Sequence, residues 1–145
     1  MTLAPGQSAI LYPVAALALL TVVVMGLMLR ERIAEMKERR IHPQKMPSSS
    51  QMAAVLQNTR GADNYKNLFE MPVLFYVLAL ALLATGSVTP LQLGLAWGYV
   101  ALRVVHSFIH VGYNKVMHRF QVFALSGLVL GVMWVLFVVR LAGTP

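Results

Sequence analysis

The chain has 145 residues, 58% of them hydrophobic and 12% charged, with a formal net charge of +7 and no cysteine. That length suits one small domain, and that composition lies far from the average of soluble domains. The lack of cysteine excludes disulfides, zinc thiolates and a cysteine nucleophile, so any sulfur chemistry needs a thiol brought by a ligand.

Residues 1–8 contain no Lys or Arg. They lack the basic start of a secretory signal, and the uncharged run over 9–29 is longer than a signal core, so it is expected to be a retained span. The stretch "RERIAEMKERR" continues this helix beyond the membrane, with Glu35 and Arg39 one turn apart. "IHPQKMPSSS" then breaks it as a linker rich in Pro and Ser. Ser50 is the expected N-cap of a helix that begins near Gln51 and runs into the second span, with a kink at Pro72. Further uncharged runs cover 71–85 and 122–139, and the run 91–112 is interrupted only by Gln92, Arg103, His106 and His110. A bilayer is crossed by about 20 apolar residues. The expected fold is therefore an all-α membrane protein, a single bundle of four transmembrane helices near 9–30, 68–86, 91–114 and 120–140 with a loop over 31–66.

The basic residues are unevenly placed. Eight lie within 30–66 (Arg30, Arg32, Lys37, Arg39, Arg40, Lys45, Arg60, Lys66), Lys115 and Arg119 lie between the last two spans, and the opposite side has Arg140. By the positive-inside rule both connections are cytoplasmic and both termini extracytoplasmic. The positive charge is read as a topology signal and a contact with anionic headgroups, not as a nucleic-acid surface.

Polar residues inside the spans carry the functional signal. Arg60, Asp63, Asn64, Asn67 and Glu70 follow helical spacing on one face; so do Tyr99, Arg103, His106, His110, Tyr113 and Asn114 on the third span. A carboxylate in hydrocarbon needs a partner, so Glu70 is expected to face Arg103 or His106, or a subunit interface. Such a pair can serve only to lock helices together. His106 and His110, one turn apart, with Glu70 and His118, also make a weaker candidate for a zinc or iron site.

These residues resemble the MAPEG family, the membrane-associated proteins in eicosanoid and glutathione metabolism. One motif is R-x6-N-x-x-E followed by proline, here Arg60, Asn67, Glu70 and Pro72; the other is R-x-x-H with a later arginine, here Arg103, His106 and Arg119. The resemblance implies a homotrimer that binds glutathione as co-substrate between neighbouring subunits on the cytoplasmic side. It implies that Asn67, Glu70 and His106 hold the tripeptide, that Arg30 or Arg32 is the first-span arginine, and that Arg119 is catalytic and faces the thiol. Arg103, Arg60 and His110 complete the candidate binding set. Physical chemistry agrees: arginine forks suit the carboxylates of glutathione, Glu70 suits its ammonium, and a guanidinium favours the thiolate.

The chain departs from the pattern at Lys66, where several members have arginine, and at His110, where active members tend to have tyrosine. It has no hydroxyl at Phe120 and Phe123, where some members have serine and tyrosine, and Pro72 comes a residue or two early. "HSFIHVGYNKVMHRF" looks like small bacterial members, which implies a bacterial inner membrane. The leading expectation is a glutathione transferase or peroxidase acting on a lipophilic electrophile that arrives through the bilayer. The alternatives are a non-catalytic lipid-binding or scaffold subunit of the same family and the His/Glu metal protein.

Overall fold

The computed structural model describes residues 6–42, 44 and 48–143. A short 3-10 turn over Gln7–Ile10 leads into α1, Leu11–Glu38; there follow α2, Ser49–Val55, α3, Arg60–Asn67, α4, Met71–Ala84, α5, Pro90–Val111, and α6, Val116–Ala142. No strand occurs among the described residues. Three helical stretches are long and apolar enough to cross a membrane: Gln7–Glu38, Arg60–Ala84 and Val116–Ala142. This is the composition of an integral membrane protein, and large side chains such as Leu19, Phe108 and Leu128 lie exposed on its outer surface as lipid contact requires.

α1 has 28 residues, about 42 Å of helix, which exceeds the roughly 30 Å hydrocarbon layer, so its charged end projects. It ends at Glu38 with Arg39 as its C-cap, and Arg40 takes a left-handed φ of 53°. The N–H of Ile41 then returns to the carbonyl of Met36 at 2.9 Å, so one more end carbonyl is satisfied. The prolines of the following linker lie outside the described residues.

The next helix departs from expectation. Its N-cap is Ser48, not Ser50: the Ser48 hydroxyl accepts the Gln51 N–H at 3.3 Å and the Gln51 side chain accepts the Ser48 N–H at 3.3 Å. This reciprocal capping box needs a Gln three residues after the cap, which only Ser48 has. Nor does this helix run unbroken into the second span. It stops at Val55, restarts at Arg60, stops again at Asn67 and restarts at Met71. Asn58 and Thr59 offer side-chain bonds that compete with helix at the first break, to the Arg60 N–H at 3.4 Å and the Asp63 carboxylate at 2.9 Å. Pro72 governs the second break. It has no N–H for the carbonyl of Leu68 and it sits in the first turn of α4, where none is needed. The expected kink is therefore a full interruption over Leu68, Phe69 and Glu70.

Two carboxylates of α1 strap the intervening segment down. Glu35 accepts the backbone N–H groups of Gln57 at 2.7 Å and Asn58 at 3.0 Å, and it pairs with Arg39 at 2.8 Å. Glu31 accepts the N–H of Gly61 at 3.0 Å. Only glycine fits at 61, because a Cβ there would come within 2.9 Å of the Met28 Cα. α3 thus seats its backbone directly on α1. Deeper in the bundle Phe75 of α4 stacks on Tyr99 of α5 with ring centroids 4.9 Å apart. Gln92 of α5 donates to the Met133 carbonyl of α6 at 3.0 Å. In a bilayer such packing and hydrogen bonds, not the expulsion of water, hold helices together.

Candidate functional site

The break after α3 exposes a helix-end carbonyl, and a buried arginine takes it. Arg103 Nη2 donates to the Asn67 carbonyl at 3.1 Å, and its guanidinium carbon lies 5.5 Å from the Phe123 ring centroid. Arg103 is fully buried, and its Nε and Nη1 have no hydrogen-bond partner among the described residues. One turn along α5, the Nδ1 of His106 lies 3.2 Å from the backbone carbonyl of Arg119. A carbonyl only accepts, so Nδ1 carries the proton in that bond. The Nε2 of His106 is buried and without a partner among the described residues.

Arg119 opens α6. Its Nη1 donates to the Asn114 side chain at 2.9 Å. Asn114 sits at a left-handed φ of 49°, and its N–H returns to the Ile109 carbonyl at 2.8 Å. Asparagine tolerates that conformation better than most residues, so the turn between α5 and α6 fixes the arginine. Asn114 appears in the polar face read from sequence, but its role as anchor does not; an Asn just past a helix end is the signal for it.

Asn67, His106 and Arg119 meet around one open hollow of about 220 Å³, lined also by Val116, Phe120 and Phe123. Three helices, α3, α5 and α6, thus contribute one sequence candidate each, with Arg103 behind the wall. The other candidates lie elsewhere in the subunit. Glu70 is exposed, and its carboxylate makes no hydrogen bond or ion pair among the described residues. No hydrogen bond or ion pair joins Glu70 to Arg103 or His106 among the described residues, although the Glu70 charge still acts on the Arg103 guanidinium at longer range. Arg30 is exposed and lines a separate hollow of about 730 Å³ with Leu27, Glu31 and Asn58. Arg32 is half-buried in a space of about 50 Å³ under the loop. Arg60 donates to the Gly112 carbonyl at 3.0 Å, away from the cavity.

His110 is buried edge-on against His106, ring centroids 5.6 Å apart. His118 bonds the Tyr113 hydroxyl at 3.1 Å. With Glu70 exposed, no three metal-ligating groups gather among the described residues. Also on the polar faces, Ser107 donates to the Asn64 side chain at 3.2 Å, which ties α5 to α3 beside the arginine.

Nothing among the curated proteins or the solved structures matches the chain. The model of the MAPEG family matches residues 10–139, a span that runs from the turn before α1 almost to the end of α6 and contains every residue of the cavity. By this match the chain belongs to the MAPEG family.

Proposed function

We propose that the protein is a membrane glutathione transferase or peroxidase whose thiolate attacks a lipophilic electrophile arriving through the bilayer. In this reading each subunit crosses the membrane four times, α5 being the fourth span, and three copies assemble. The family includes glutathione transferases and peroxidases as well as non-catalytic members. The observation that carries the enzymatic reading is the convergence of Asn67, His106 and Arg119 on one cavity from three helices.

The chemistry follows from the groups present. The Arg119 guanidinium, held by Asn114, stabilises the thiolate, and a neighbouring copy that covers the hollow excludes water from it, so that a single ionic contact is stronger than in water. The Nε2 of His106 accepts a hydrogen bond from a peptide N–H of the ligand. Attack forms a carbon–sulfur bond as the bond to the leaving group breaks, and the departing anion takes the electron pair. A cavity of about 220 Å³ is smaller than the roughly 300–1,000 Å³ of pockets that enclose a small molecule. It makes a half-site, completed when a neighbouring copy brings Arg30, while Glu70, exposed beside the break, takes the ligand ammonium.

Titration with glutathione is expected to raise the ultraviolet thiolate band, and addition of a chloronitrobenzene to yield the thioether. Binding without turnover would establish the non-catalytic alternative, which the apolar Phe120 and Phe123 in the cavity wall favour; absence of both would end the glutathione reading. Access to cytosolic glutathione also requires the basic connections to face the cytoplasm. A C-terminal reporter active only in the cytoplasm is therefore expected to stay silent, and a strong signal would reverse the orientation.

A further inference from the structure

On the far side of α5 from the cavity lies a second feature, open to the membrane. An apolar groove of about 320 Å³ runs between α1 and α5, walled by Leu20, Val23 and Leu27 on one side and Val104, Phe108 and Val111 on the other. Val23, Val104 and Phe108 are exposed, Phe108 to 73%. The groove shares no lining residue with the cavity around Asn67, His106 and Arg119, so it is separate from that cavity. At one end its wall is Gly112, and there the character of the surface changes. The Gly112 carbonyl accepts the Arg60 guanidinium at 3.0 Å, Arg60 is exposed, and exposed Lys115 follows three residues on. Asp63, one turn from Arg60, accepts from the Thr59 hydroxyl at 2.9 Å and forms no ion pair with Arg60.

An apolar channel that ends in an unpaired cation at the membrane surface is complementary to one kind of molecule: an acyl chain below and an anionic headgroup above. We propose that the α1–α5 groove is a binding site for an anionic phospholipid, with one acyl chain along Leu20–Leu27 and Val104–Val111 and the phosphate at Arg60. A neutral lipid would fill the groove equally well but leave the arginine without its counter-charge. A basic residue near a bilayer surface favours an anionic lipid by about fivefold.

The full chain in nanodiscs holding equal phosphatidylglycerol and phosphatidylcholine tests this, with retained lipids counted by native mass spectrometry. The wild-type protein should keep phosphatidylglycerol over phosphatidylcholine by about fivefold. Arg60→Gln should remove the preference but not the lipid. Val104→Trp should fill the groove and lower retention of both lipids. Arg40→Gln, which removes an equal charge elsewhere, and Leu128→Trp, on the exposed face of α6, should change neither. Equal retention by the wild type, the same loss in Arg40→Gln as in Arg60→Gln, or undiminished lipid on Val104→Trp would overturn the proposal. So would a change of subunit number on Val104→Trp, which would make a second copy the occupant. Displacement of the lipid by glycerol phosphate alone would reduce the site to one for free phosphate. None of these readouts involves glutathione, so the lipid site and the glutathione half-site succeed or fail separately.

Discussion

Replacing Arg119 with lysine is expected to lower turnover by roughly 10–1,000-fold, the effect of losing about 1.4–4 kcal/mol of transition-state stabilisation. Lysine preserves the positive charge at the membrane surface and the backbone carbonyl that meets His106 Nδ1. It does not preserve the planar fork that bonds Asn114 while presenting further N–H groups to a thiolate. Insertion, assembly and the orientation of His106 should therefore survive, and glutathione should still bind. The thiolate absorbance of bound glutathione should fall in step with the rate. A variant that turns over at the wild-type rate would make Arg119 a topology marker that snorkels to the headgroups, and the catalytic assignment would be wrong.

The second large effect is expected at Glu70. Its carboxylate forms no bond or ion pair within the described subunit, so neither Glu70→Leu nor Glu70→Ala should unfold a single chain, as loss of one partner of a buried pair would. If Glu70 holds the ligand ammonium, both changes should weaken glutathione binding by at least about tenfold while the oligomer persists. Equilibrium dialysis and size measurement in detergent separate the outcomes. Dissociation of the oligomer with unchanged affinity per folded site would mark Glu70 as a lock between subunits.

Much of the helical plan was legible because long uncharged runs have few alternatives in a membrane. Where the structure differs from expectation, local chemistry is the reason. Helical spacing alone does not fix the contacts of Glu70, because the chain stops and restarts around Pro72 and leaves the carboxylate near the Arg103 charge without a direct bond to it. The S-x-x-Q pattern that selects Ser48 over Ser50 is legible in the sequence. Arg103 illustrates the opposite limit. Its place on a polar face could be read from spacing, but its acceptor is a backbone carbonyl made available by a break in another helix, and side-chain patterns do not register backbone acceptors. Asn67, His106 and Arg119 could be placed on their helices from sequence; their convergence could not, since it depends on how α3 meets the pair α5 and α6.

That last junction bears on how the protein is made. Glu35 and Glu31 of α1 latch the connection before α3 and the start of α3 across 22 to 30 residues of chain, and α5 and α6 are latched by Arg119 on Asn114 and on His106. The first pair can close as it leaves the ribosome, before the second is complete. The bonds from Arg103 to Asn67 and from Ser107 to Asn64 then join the two halves, and the cavity opens at their seam. A ligand seated there touches both halves at once. On the proposed function, glutathione seated there would join the two halves late in assembly, and newly inserted subunits should then mature faster in cells rich in it.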